Sequence, residues 1–191
     1  MNPIIVTGAP HSGTSVIARL LQTKMDVMMD EGPIRADEYK PLGYYEDHRV
    51  MEINNIAYYN HLDKLQKQED KSLPIDIQVP PKWAIEFAKW LVYRNSKYKK
   101  WGWKDPVCGG LFQHMHQFFD NPIWIVCKRR DEDVLKSLIE KEKFPKAVAA
   151  KGLRAFQNLI AKQLDGKCNY IDMSEYVEEK ELVKLIDKVI N

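Results

Sequence analysis

"IIVTGAPHSGTSVIARLL", residues 4–21, decides the fold. Ile4, Ile5 and Val6 form a short continuous apolar run, the pattern of a central strand covered on both faces. Gly8 ends it. From Thr14 onward Val16, Ile17, Leu20 and Leu21 recur at helical spacing, so a helix opens directly behind the loop. Four residues separate Gly8 from Gly13, the spacing of a phosphate-binding loop, but Thr14-Ser15 stands where such a loop carries a lysine and a hydroxyl residue. The first N–H groups of a helix still offer an anion aligned dipoles, and Ser12, Thr14 and Ser15 add hydroxyl donors. The missing lysine removes the point charge that reaches the outer phosphates of ATP, which argues against a nucleoside triphosphate. The bland alternative is a strand-to-helix turn whose glycines serve geometry alone.

Outward from this stretch, strands and helices alternate. Residues 25–45 are broken by Gly32, Pro33, Pro41 and Gly43 and read as irregular. A helix is expected from about Glu46 to Leu62, followed by a polar, exposed stretch over 63–78. Pro80 and Pro81 then precede Trp83, Phe87, Trp90 and Leu91, an apolar stripe at helical spacing that reads as core before it reads as an aromatic substrate wall. "WGWKDP", residues 101–106, reads as a short strand and turn, with a helix over about 108–118. "IWIVC", residues 123–127, is the next buried strand, and "DEDVLKSLI" after it has the acidic first turn of a helix. A helix near 145–164, a strand near 168–173 and a closing helix over 178–190 complete the order. This alternation implies an α/β fold, a three-layer sandwich with a central parallel sheet.

Composition bounds the rest. A chain of 191 residues suits one domain over 1–191. The net charge of +2 gives no general attraction to nucleic acid or anionic lipid, so a positive field that matters must be local. Cys108, Cys127 and Cys168 form no CxxC pair, which speaks for reduced, mostly buried thiols over a zinc site or disulfide framework. His114 and His116 point to different faces of a helix and cannot chelate together, so no metal site is expected. The chain enters a strand almost at once and has no apolar run of membrane-spanning length, so no membrane association and a cytoplasmic location are expected.

A second basic site follows "IWIVC". Lys128, Arg129 and Arg130 sit together at the carboxyl end of a strand, the edge where open α/β sheets bind ligands. Either an anion binds there, or Asp131, Glu132 and Asp133 neutralise the cations in solvent.

Together these residues resemble the sulfotransferases that use 3′-phosphoadenosine 5′-phosphosulfate (PAPS). "PHSGTS", residues 10–15, is similar to the family's 5′-phosphosulfate loop, P-[RK]-S-G-T-[ST]. Arg129, Asp133 and Ser137 have the spacing of its 3′-phosphate site. "PLGYYED", residues 41–47, and "WGWKDP" resemble two further segments of the bacterial-type branch. The motifs occur in the family's order and cover most of residues 4–140. The last fifty residues match only in general pattern. The resemblance implies a P-loop nucleotide-hydrolase-like fold, PAPS as co-substrate and no metal.

It also implies roles. The N–H groups of residues 12–15, with Ser12, Gly13, Thr14 and Ser15, would hold the 5′-phosphate, and Arg129 and Ser137 the 3′-phosphate. His11 and Lys104 would supply positive charge near the leaving oxygen. His11 departs from the family, which has lysine or arginine there; a histidine serves if protonated or as a neutral donor, and bound phosphate favours its cation. A weakened or inactive site is the other reading. The other reading of Lys104 is an exposed ion pair with Asp105. Glu46 is the expected general base, with His48 in reserve, although a glutamate at a helix start also suits the dipole. A nucleotide kinase with a degenerate loop, in which Asp172 would be the nearest magnesium ligand, and a non-catalytic relic are the competing readings. Small-molecule, glycan, lipid-linked and peptide acceptors stay open, glycan slightly ahead. Residues 25–45 and 63–82 are expected to shape the acceptor pocket, and Tyr44, Tyr45 and Trp83 either stack on a sugar or fill the core. Oligomeric state has no signature.

Overall fold

A computed structural model of the chain describes residues 2–32, 36–38, 41–66, 79–106, 108–164, 166–175 and 178–191, with backbone alone over 58–66. In chain order the elements are β1 (Ile4–Gly8), α1 (Thr14–Lys24), α2 (His48–Gln66), α3 (Pro81–Lys97), β2 (Gly102–Lys104), a 3₁₀ turn (Cys108–Leu111), α4 (Phe112–His116), β3 (Ile123–Lys128), α5 (Asp131–Lys141), α6 (Lys146–Leu164), β4 (Asn169–Asp172) and α7 (Glu179–Ile190). The four strands pair in parallel in the order β2-β1-β3-β4. With a neighbour on each side and helices above and below, β1 is buried at every residue, which is why its sequence is an unbroken apolar run.

The period of two along the strands sorts the two helical layers. Ile4, Val6, Ile125, Cys127 and Ile171 pack against α1 and α7 through Ile17, Leu20, Leu21, Leu182 and Ile186. Ile5, Trp124 and Val126 join the opposite core with α2, α3 and α6 through Val50, Phe87, Trp90 and Ile160. The α3 stripe is core. Trp83 stacks on Phe87 with centroids 4.9 Å apart, and Trp90 meets Trp101 and Trp103 edge-on. Trp83 has no exposed surface, and Tyr45 is buried as well, so neither is a platform for a sugar ring. Removing such a ring from water contributes roughly 1.5–3 kcal/mol, and the packed arrangement outweighs any ligand role.

Three boundaries differ from expectation. α2 begins at His48 because the Asp47 carboxylate accepts the N–H groups of Arg49 (2.9 Å) and Val50 (3.1 Å), which leaves Glu46 before the helix. It also runs on through Gln66, so residues 63–66 are helical; the remainder of the expected polar stretch, 67–78, lies outside the described residues. The helix expected over 108–118 is split into a 3₁₀ turn and the short α4, as the adjacent Gly109 and Gly110 disfavour a continuous helix. In the irregular segment Met28 forms a single parallel bridge with Trp101.

None of the three cysteines forms a disulfide. Burial pushes the Cys127 thiol up to about 12 and that of Cys108 well above its ordinary value, so both are held protonated. No helix among the described residues is long and apolar enough to cross a membrane.

Candidate active site

Because every strand of the sheet is parallel, the β1 loop and the residues that end β2 and β3 gather at one edge. The loop needs both of its glycines. Gly8 has φ 150°, and a Cβ there would lie 2.5 Å from the Cys127 carbonyl oxygen. Gly13 has φ 102°, and a Cβ there would lie 2.6 Å from Met173 Cγ. Between them the Ser12 N–H turns back to the Ala9 carbonyl at 3.0 Å. In α1 the N–H groups of Val16 and Ile17 return to the Gly13 carbonyl, so those of Thr14 and Ser15 precede the ladder at the positive end of the helix. That first turn carries no acidic residue.

His11, Gly13, Thr14 and Ser15 line a cleft of about 300 Å³ that reaches Arg129 and Ser137. Six of the nine residues given roles by the resemblance thus share one cavity. Arg19 and Lys141 add two more cations, and Pro41, Leu42 and Gly43 bring in the irregular segment. Ser12 is not among the residues that line this cleft. It is 1% exposed, its hydroxyl has no hydrogen-bond partner among the described residues, and it lines a different cavity, of about 380 Å³, between the carboxyl ends of β3 and β4 and helix α6.

Lys104 is not an exposed partner of Asp105. Its side chain is wholly buried and its ammonium pairs with the Glu46 carboxylate, 58 residues away in sequence. Asp105 is buried too, and accepts a hydrogen bond from Asn54 Nδ2 at 2.7 Å, while Asn54 Oδ1 accepts from the Trp83 indole at 3.2 Å. A second carboxylate with its own donors leaves the Lys104 charge to Glu46. Lys104 pairs in register with Val6, two residues before Gly8, so the ion pair flanks the base of the loop. Tyr44 joins it, with Lys104 Nζ 6.0 Å from the ring centroid. The Tyr44 hydroxyl donates to Asp37 at 2.5 Å, and that bond first, then burial and the charges of Asp37, Glu142 and Glu46, push the phenol up to about 12.

Two residues at this edge have left-handed backbone without being glycine: His11 (φ 66°) and Tyr45 (φ 55°), the residue before Glu46. Each such conformation costs of order 1–3 kcal/mol and persists where the surroundings hold it, commonly at functional sites. His11 Nε2 lies 3.1 Å from Glu142 Oε1, and the His11 carbonyl accepts from Arg129 Nη1 at 3.5 Å.

On the other flank the basic cluster is partly neutralised, by one of the three acidic residues in the first turn of α5. Asp133 accepts from Arg130 Nε at 3.0 Å and lies 3.7 Å from Arg129 Nε. Lys128 Nζ sits 3.6 Å from the Tyr170 ring centroid. Arg129 and Arg130 remain 42% and 69% exposed. His48 lines a shallow depression beside Asp30 and Glu31, away from the loop. His114 and His116 meet Trp83 and Phe112 respectively, and no group of three metal-ligating side chains occurs among the described residues. Asp172 accepts from the Ser174 N–H at 2.9 Å and closes the turn after β4.

Arg94 escaped the sequence reading. It is completely buried, and its guanidinium donates to Glu31 (2.9 Å), Asp47 (3.2 Å), the Met28 carbonyl (2.5 Å) and the Gly102 carbonyl (2.9 Å). It therefore ties the residue after Glu46 to the strand that presents Lys104. One signal was available: Arg94 is four residues past Trp90, on the same buried stripe.

No protein-family model and no curated protein sequence matches the chain. Solved structures do match in fold. The sulfotransferase domain of the Synechococcus PCC 7002 olefin synthase superposes with a TM-score of 0.53 at 18% identity, over 99% of this chain and 71% of that one. Deoxyadenosine kinase from M. mycoides, with bound dATP, superposes with a TM-score of 0.51 at 10% identity, over 97% of each chain. The α/β fold with its central parallel sheet is thus one that P-loop kinases and sulfotransferases share.

Proposed function

We propose that the chain is a PAPS-dependent sulfotransferase, passing the sulfuryl group to a hydroxyl or amine acceptor. One observation carries this reading: the lysine-free loop, through His11, Gly13, Thr14 and Ser15, shares a cleft with Arg129 and Ser137. A 5′-phosphate at the loop and a 3′-phosphate at Arg129 and Ser137 suit the two ends of that cleft. A nucleoside triphosphate would find no lysine for its outer phosphates. The Ser12 hydroxyl lines the adjoining cavity, and the loop's donors to the 5′-phosphate in this cleft are the amides of residues 13–15 with Thr14 and Ser15.

In the transfer step the acceptor oxygen bonds to sulfur as the bond from sulfur to the 5′-phosphate oxygen breaks. Adenosine 3′,5′-bisphosphate leaves with that electron pair, and the acceptor's proton passes to Glu46. The pairing of Glu46 with Lys104 links the two roles: the fixed ammonium stabilises the negative charge that grows on the leaving oxygen, and its hold on the carboxylate weakens as that charge develops, which leaves Glu46 able to take the proton. His11 adds charge at the same oxygen. The sulfuryl group is less highly charged than a γ-phosphoryl, so fixed donors and basic side chains suffice. The acceptor is a small molecule or glycan, not nucleic acid, and Pro41, Leu42 and Gly43 bring the segment expected to shape its pocket to the cleft.

Calorimetric titration with adenosine 3′,5′-bisphosphate, ADP, and ATP with magnesium tests this. Micromolar binding of the bisphosphate without metal, far tighter than ADP, is expected, weakened about tenfold or more by Arg129→Ala, as for loss of hydrogen bonds to a charged group. Preference for ATP with magnesium would turn the reading to a kinase, and binding of none of the three to a relic of the fold.

A further inference from the structure

We propose that Glu142 is a positioning residue for His11, holding the imidazole in place and in its charged form, so that a histidine does the work that the resembled family gives to lysine or arginine. The purpose of the pair rests on the sulfotransferase reading above; its geometry does not.

Three observations converge on the pair. First, Glu142 Oε1 lies 3.1 Å from His11 Nε2 across 131 residues of sequence, at the one loop position where the chain departs from the family's pattern. Second, both partners are delivered by constrained backbone. His11 is in the left-handed region with its carbonyl tied to Arg129, and its side chain is only 10% exposed. Glu142 caps α5, its N–H bonded to the Leu138 carbonyl, and the chain turns sharply after it at Lys143 (φ 58°). Third, the surroundings need a carboxylate. Arg19 from α1, Arg129 after β3 and Lys141 from α5 line the same cleft and all disfavour a positive imidazole. Among the nearby acids, Asp37 accepts from Tyr44, Asp133 serves the arginines and Glu46 serves Lys104. Glu142 is in direct contact with the ring, and contact at 3.1 Å outweighs charges farther off. Removing its charge takes away a direct contact that favours the imidazolium, at a loop that already lacks a lysine.

The test is ring ¹H–¹⁵N spectroscopy of His11 across a pH series, in the wild type and in Glu142→Gln, with His11→Asn to assign the signal. The imidazolium should persist to a pH about one unit higher in the wild type, a tenfold difference in proton affinity, moderated by the half-exposed carboxylate. Binding of adenosine 3′,5′-bisphosphate at about pH 7.5 should fall several-fold in Glu142→Gln and recover near about pH 6, where the ring charges unaided. Glu142→Asp should restore part of the difference, and His11→Lys combined with Glu142→Gln should bind without that pH dependence. Identical ring titrations in wild type and Glu142→Gln would overturn the proposal. So would tighter bisphosphate binding by Glu142→Gln, which would mark the carboxylate as a competitor for the anion site. A ring titration that shifts as expected in a protein that binds no bisphosphate would leave the pair standing and remove the sulfotransferase reading.

Discussion

The two flanks of the loop are built on opposite principles. On the β2 side Lys104 is fully buried and fixed to Glu46, with Asp105 and Asn54 bonded beside it and Arg94 fastening Asp47 to the strand. On the β3 side Arg129 is 42% exposed and leans on an Asp133 that it shares with Arg130. Desolvated charges are held in one geometry by the cost of leaving any partner unpaired, whereas exposed pairs are screened and rearrange at little cost. The difference suits a division of labour. In the sulfotransferase reading proposed above, charge for the leaving oxygen is in place before reaction, while a cation that captures a distant phosphate gains from reach.

The sharpest way to break this contrast is Arg94→Met. It leaves the Asp47 carboxylate buried without its cation, and should lower stability to urea by about 3–5 kcal/mol, seen as a reduced unfolding midpoint. A loss comparable to a surface substitution would mean that the β2 flank is no more rigid than the other. Next in size, Lys104→Met should reduce kcat for sulfuryl transfer to a simple phenol by about 10²–10³, with bisphosphate affinity changed far less. Equal losses in both would place Lys104 in ground-state binding. The smallest effect belongs to Asp133→Asn, which should alter stability by less than about 1 kcal/mol and strengthen bisphosphate binding modestly, the gain shrinking as salt is added. A large destabilisation there would erase the distinction between the flanks.

Much of the candidate cleft was legible because it is assembled from two short segments. Gly8, Gly13, Thr14 and Ser15 lie in one strand-loop-helix unit, and Arg129 directly follows β3 while Ser137 lies on α5. The other flank was only half legible. Lys104 and Glu46 were each visible in their segments, but their union depends on β2 lying beside β1 and on Asp47, not Glu46, capping α2. The direction of the Ser12 hydroxyl was not legible, because it is set by a loop turn in which the Ser12 N–H bonds back to Ala9. Trp83 was ambiguous for a similar reason: the aromatic period identifies a buried face but not what covers it.

The sequence by itself determined the order of strands and helices, the parallel sheet they imply, and the glycine-bounded loop, since each follows from short-range period and from backbone angles that only glycine adopts easily. Tertiary structure alone decided the pairings: Lys104 with Glu46, Arg94 with Glu31 and Asp47, and His11 with Glu142. Those residues are far apart in the chain, and no local pattern encodes which charges meet. The sheet order and the burial around it select each partner, because a charge carried into the interior must find its counterpart there.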